Sequence, residues 1–285
     1  MKFTILLSVF LIFSVQNMFA QDAVATQDQI NKFYKSKTYI VYDSNIFGSY
    51  NKAIKKAVEQ NWTLTDVEFI NESQYSKMKY SYRNSFIVRT KVKFTKDKSK
   101  TAYTFLSVLL GGKSASAMKN MPDLCSFPLS YYNVDYDKYL YKLGAIIKFM
   151  QNHIILTKEH PDLNSKNILK YYNNNKEKLT GKTLYVLKEE LAKDVNTIQK
   201  IKKHYAGDVR IVSQDDIKSA IANKKDNIVF LHKVGPDENS EKMRIYKVIL
   251  GAADGKLYYF NYHKYKKGKK PDAFLASDFD KLSIK

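Results

Sequence analysis

The chain has 285 residues, 44% of them apolar, and a formal charge of +20 from 48 basic and 28 acidic residues. That length suits two domains better than one core, and the apolar content is enough to bury both. One cysteine, Cys125, excludes an internal disulfide and any cysteine-based metal cluster, and is expected to be a buried, small apolar residue.

Residues 1–20 carry one lysine, an apolar run over 3–15 and Met18-Phe19-Ala20 before Gln21, the layout of a cleavable secretory signal. The run is shorter than the roughly 20 residues that cross a bilayer. The mature chain is therefore expected to be exported, periplasmic or extracellular, with no transmembrane segment.

Residues 27–133 read as one α/β repeat. After a helix at 27–34 come a strand at 39–42, a helix at 49–60, a strand at 67–70, a helix at 73–82, an apolar strand at 86–88 and a strand from Thr101. Asn71 with Gln74 has the spacing of a capping box. The stretch 111–121 is rich in Ser, Ala and Lys and reads as a loose loop.

Residues 134–164 form a bridging helix and connector. Tyr136, Leu140, Leu143, Ile147, Met150 and Ile154 alternate by four and three residues over an expected helix at 134–158. Tyr139, Ile146, Phe149 and Ile155 widen this face, which favours a helix packed into the body of the protein. Lys142, Lys148, Gln151 and His153 argue against a membrane span. Pro161 ends the element.

Residues 165–285 repeat the first pattern. A helix at 163–179 leads into a strand at 183–187, a helix at 194–205, a strand at 209–212, a helix at 215–223, an apolar strand at 228–231 and a strand from Arg244. Ser213 with Asp216 repeats the capping box. Thr183 answers Thr38, Leu250-Gly251-Ala252 answers Leu110-Gly111-Gly112, the polar loop at 236–240 answers that at 96–100, and Asp278-Phe279-Asp280-Lys281 answers Asp135-Tyr136-Asp137-Lys138. Asp254-Gly255 between two apolar runs signals a hairpin without a counterpart in the first copy. The expected fold class is α/β (mixed α+β): two tandem β-α-β-α-β-β repeats with mixed sheets, joined by a long helix.

Motifs for catalysis fail. Gly112-Lys113-Ser114 and Gly181-Lys182-Thr183 lack the upstream glycine of a phosphate loop, and the second opens a strand instead of a helix. The histidines at 153, 160, 204, 232 and 263 have no ligand spacing, so no metal or cofactor is expected and no catalytic residue is assigned. Asp135 with Asp137 and Asp278 with Asp280 do not face each other on a helix, and placement beside a positive helix end explains them better.

Lysine supplies 44 of the 48 basic residues, with only Arg83, Arg89, Arg210 and Arg244, whereas base recognition favours the arginine fork. Together with export this argues against nucleic acid and for an anionic envelope polymer or an envelope protein. A composition rich in Lys, Asn, Ile and Tyr accounts for the same charge without a ligand. The densest mixture of aromatic and basic residues is Tyr262, Lys264, Tyr265, Lys266, Lys267, Lys269 and Lys270, expected to be exposed and to carry binding.

Asn61-Trp62-Thr63-Leu64-Thr65-Asp66 and the closing Ser277-Asp278-Phe279 resemble exported bacterial proteins with tandem α/β repeats and no assigned activity. The order of elements also resembles small α/β domains of periplasmic accessory proteins, an analogy of fold alone. A non-catalytic exported binding protein is the first expectation. The alternative is a hydrolase-type enzyme with a site in the cleft between the repeats, built from dispersed residues such as His204 or His232.

Overall fold

The computed structural model describes residues 24–45, 48–97, 101–132, 134–135, 138–235 and 242–283. The expected leader at 1–20, Tyr136, Asp137 and most of the two polar loops lie outside the described residues.

The first half contains α1 (Gln27–Tyr34), β1 (Lys37–Val41), α2 (Ser49–Asn61), β2 (Val67–Ile70), α3 (Glu72–Met78), β3 (Asn84–Lys93), β4 (Ala102–Leu110) and β5 (Asp123–Tyr131). After α4 (Leu143–Glu159) and α5 (Ile168–Asn174), the second half contains β6 (Thr183–Val186), α6 (Ile198–Ile201), β7 (Asp208–Ile211), α7 (Gln214–Ala222), β8 (Ile228–Val234), β9 (Arg244–Gly251), β10 (Leu257–Lys264) and α8 (Ala276–Leu282). Each half forms a five-stranded mixed sheet, ordered β2-β1-β3-β4-β5 and β7-β6-β8-β9-β10. Strand order and direction are the same in both, which fits a tandem repeat in a mixed α+β fold. The apolar runs Phe86-Ile87-Val88 of β3 and Ile228-Val229-Phe230-Leu231 of β8 lie on central strands. Both capping boxes form, on Asn71 and Ser213, and no described helix is long and apolar enough to cross a membrane.

Four local expectations change. The first copy has its own final hairpin, because β5 pairs antiparallel with β4 as β10 does with β9. Pro128 hides β5 in the sequence, and proline is tolerated there because the strand is at an edge. The bridging helix begins at Leu143; residues Leu140–Lys142 before it wind as a 3₁₀ turn. The expected helix at 194–205 shrinks to a 3₁₀ turn and the short α6, because Thr197 takes an extended conformation and caps Lys200. The Asp254-Gly255 hairpin forms with a loop at 252–256, and Gly255 alone of that pair has positive φ.

The internal match also slips by one residue. The Lys37 amide donates to Arg83 on the β3 side, and the Thr183 amide donates to Asn227 on the β8 side. Thr183 therefore answers Lys37, not Thr38. Likewise Gly111 donates to Asn84 as Ala252 donates to Ile228, so Gly111 answers Ala252. A slip of one exchanges the faces of a strand. Ile40 and Ile87 face the main core with α2, whereas their partners Val186 and Leu231 face the outer core with α6. Phe86 faces the outer core of the first half with α3, whereas Phe230 faces the main core with α7. The repeats thus stack head to tail, in the order α3, first sheet, a shared layer of α2, α4 and α7, second sheet, then α6 with α8.

The shared layer explains α4. Leu143, Ile147, Met150 and Ile154 are buried as expected, and Ile146 and Phe149 are buried with them. The largest core cluster draws side chains from both halves. The asparagine run at 173–175 cuts α5 short and serves the edge strand β10: Asn173 donates to the Phe260 carbonyl (3.1 Å) and accepts from its amide (2.8 Å), and Asn175 donates to Leu257 (2.9 Å).

Candidate functional site

The lysine-rich stretch divides into two parts. Tyr262 and Lys264 belong to β10, and Tyr262 is 41% exposed. The Arg244 guanidinium lies over its ring at 4.9 Å. Lys264 Nζ is 2.7 Å from Asp97, whose other oxygen takes Arg244 Nε at 2.5 Å. Burial pushes the Asp97 carboxyl up, but the bonds from Arg244 and Lys264 outweigh it and hold the group below the usual range. Lys264 is therefore already compensated.

Tyr265 turns inward, contrary to expectation, and packs with Met243 and Ile245. This fixes the base of a turn in which Lys266 and Lys270 exchange backbone hydrogen bonds, N to O, at 3.0 and 2.8 Å around Gly268, φ +71°. Lys266, Lys267, Lys269 and Lys270 are exposed on that turn. The bordering carboxylates are committed elsewhere, Asp97 as above and Asp272 to Lys233 at 2.6 Å. The turn thus presents four cations with no acidic residue among them.

A second feature lies between the halves, at the carboxyl ends of β6 and β8. From β6 the chain crosses to β7 on one side and returns to β8 on the other, so the loops leave in opposite directions and open a crevice, the usual ligand position in α/β sheets. A cavity of about 320 Å³ opens here, lined by Ser130, Tyr131 and Tyr139 from the first half and its connector, and by Glu190, His232 and Asp272 from the second. A neighbouring groove of about 420 Å³ runs between α2 and α7, and Gln214 borders both.

Buried polar groups converge on the cavity. The 3₁₀ turn before α4 sends Lys142 inward, where it is 1% exposed, 3.7 Å from Glu190 and 3.3 Å from the Leu231 carbonyl. Burial pushes Lys142 down and Glu190 up, each opposed by the charge of the other. His232 donates from Nε2 to the Pro128 carbonyl at 2.8 Å, which leaves Nδ1 as an acceptor. Burial, with Lys142 nearby, pushes this imidazole down to about 3. Nδ1 of His232 and Oε2 of Glu190 have no hydrogen-bond partner among the described residues. Gly235 makes room for the Lys233–Asp272 pair, since a Cβ there would meet Asp272 Oδ1 at 2.0 Å.

The same register position in the first half holds Arg89, paired with Asp43 at 2.5 Å and lying over Tyr50 at 4.1 Å. Both repeats therefore place a cation–carboxylate pair where their strand order reverses. The two histidines named from the sequence are not brought together. His232 enters the cleft, and His204 pairs with Asp280 at 2.9 Å beside α8. The described residues hold no cluster able to ligate a metal. Sequence reading missed Glu190, Asp272 and the role of Lys142. The available signal was Lys142 at the head of the stripe that continues through Ile146 and Phe149, an apolar face on which a lysine is out of place.

No family model, curated protein or solved structure matches the chain. Its class rests on its own topology: two tandem five-stranded α/β repeats stacked head to tail with a polar cleft between them.

Proposed function

We propose that this protein is an exported, non-catalytic binding protein that holds an anionic polymer of the cell envelope through the lysine turn at residues 266–270. One observation carries the reading: four exposed lysines share a turn braced by Tyr265, and the adjoining acids are occupied by other cations. Such affinity is mainly electrostatic and weakens as salt rises, because exposed charges are screened over about 8 Å at physiological ionic strength. Tyr262 adds an aromatic face beside the turn. Export is supported by the pattern of residues 1–20.

The test replaces Lys266, Lys267, Lys269 and Lys270 together by Gln and leaves Lys264 in place, because its charge serves Asp97. Retention on an acidic polysaccharide at matched salt should fall while the thermal midpoint stays nearly constant, since surface changes usually alter stability by less than about 0.5 kcal/mol. Equal retention of both proteins overturns the reading. The polar cleft favours a second one, a hydrolase-type enzyme whose site lies between the repeats. Hydrolysis that survives the lysine replacement and is lost on Glu190→Gln would select it.

A further inference from the structure

We infer that the cleft between the repeats is a binding site for a neutral, hydroxyl-rich small molecule of about monosaccharide size. The inference does not rest on polymer binding at the lysine turn. Its volume of about 320 Å³ lies at the lower end of the range for small-molecule pockets. Its position at the carboxyl ends of β6 and β8 is the one that α/β sheets generally offer to ligands.

The polar groups select the ligand. Lys138, Lys142 and Lys233 stand against Glu189, Glu190 and Asp272, three cations against three carboxylates, with a neutral imidazole beside them. This balance disfavours a strongly charged ligand. The two atoms left without partners, Oε2 of Glu190 and Nδ1 of His232, both lack donors. A buried acceptor without a donor is costly, and a hydroxyl supplies what is missing. Both atoms are withdrawn from water, and His232 is held by its bond to Pro128. The terminal torsion of a glutamate is broad, so Oε2 of Glu190 is the acceptor that turns to the cavity without backbone movement and meets the ligand. Tyr131, Tyr139 and Leu187 add the apolar wall against which a sugar ring packs.

The experiment is calorimetric titration of the purified chain with N-acetylglucosamine as a neutral probe, glucosamine as a cationic one and glucuronate as an anionic one. The neutral sugar should bind most tightly. Glu190→Gln exchanges a charge-assisted bond for a neutral one and should weaken it about tenfold. Gln214→Trp, at the exposed rim, narrows the cleft without disturbing the buried charges and should abolish sugar binding. Retention on acidic polysaccharide should be unchanged in Gln214→Trp, which separates this site from the lysine turn. Failure of all three sugars to bind, tighter binding of a charged sugar, or affinity unaltered in both variants would each overturn the inference.

Discussion

Gly255, in the loop between β9 and β10, lies backbone to backbone against Phe149 of α4. A Cβ at Gly255 would stand 2.7 Å from the Phe149 amide nitrogen and 2.7 Å from the Ala145 carbonyl. Lys148 and Asn152 complete the contact by donating to the Ala253 and Asp254 carbonyls, at 2.8 and 2.7 Å. Gly255 also has a φ of +62°. Gly255→Ala should therefore lose about 1 kcal/mol for the backbone conformation and about 1–3 kcal/mol more for the overlap with α4. Denaturant unfolding measures the sum, and a change below about 0.5 kcal/mol would show that the loop and helix can separate freely.

Acid should destabilise the fold in a defined window. Burial pushes His153 and His263 down to about 4 and His232 to about 3, from an ordinary 6.5. The unfolded chain takes these protons below 6.5 and the folded chain does not, so this stability is present above 6.5 and lost as pH falls. Asp123 opposes the trend. Burial raises its carboxyl from 3.8 to about 6, so the folded form gains from protonation as pH falls from 6 to 3.8. Glu190, which burial also raises, opposes it too. Three imidazoles against these two carboxyls, at about 1.4 kcal/mol per pH unit each, leave a net loss of at least about 1.4 kcal/mol per unit below pH 6. Unfolding at pH 7 and pH 5 tests the sign, and Asp123→Asn should steepen the decline. Equal stability at the two values would mean that the imidazoles reach water.

The elements that could be read from the chain are those whose signals are local. Capping boxes at Asn71 and Ser213, the apolar runs of β3 and β8, and the stripe of α4 each declare themselves within a few residues. β5 did not, because Pro128 contradicts strand propensity and only its edge position makes it acceptable. The head-to-tail stacking was hidden by one residue: aligning Thr38 with Thr183 is natural by eye, yet the hydrogen bonds align Lys37 with Thr183 and thereby exchange the faces. At the candidate sites, the lysines at 266–270 were legible as a charge run. The inward turn of Tyr265 and the pairing of Lys264 with Asp97 depend on contacts far apart in sequence. A cleft between the repeats, with His232 among its residues, was an expectation, but the partners of that histidine were out of reach for the same reason, since Lys142, Glu190 and His232 meet only through the tertiary fold.

Lys142 and Glu190 should behave as a coupled pair. Lys142→Met leaves a buried carboxylate without its cation and should cost about 3 kcal/mol. Replacing both residues by Met removes both charges and should recover most of that loss, because well-packed apolar pairs often equal buried ion pairs in stability. A double-mutant cycle by denaturant unfolding reads the coupling. Additive losses would mean that the 3.7 Å approach carries no interaction.

Asn173 should protect the exposed edge of the second sheet. An edge strand presents unpaired amides and carbonyls that recruit further strands. On β10, Asn173 occupies both groups of Phe260, acting as a one-residue substitute for a neighbouring strand. Asn175 covers the Leu257 carbonyl in the same way. Asn173→Ala should cost about 1–3 kcal/mol, because two bonds are lost and part-buried backbone groups are left behind. It should also promote self-association, with Asn173→Ala/Asn175→Ala doing so more strongly. Light scattering during mild heating would detect the association before unfolding is complete. If the variants unfold at lower temperature yet stay monomeric throughout, the asparagines stabilise α5 and do not guard the edge.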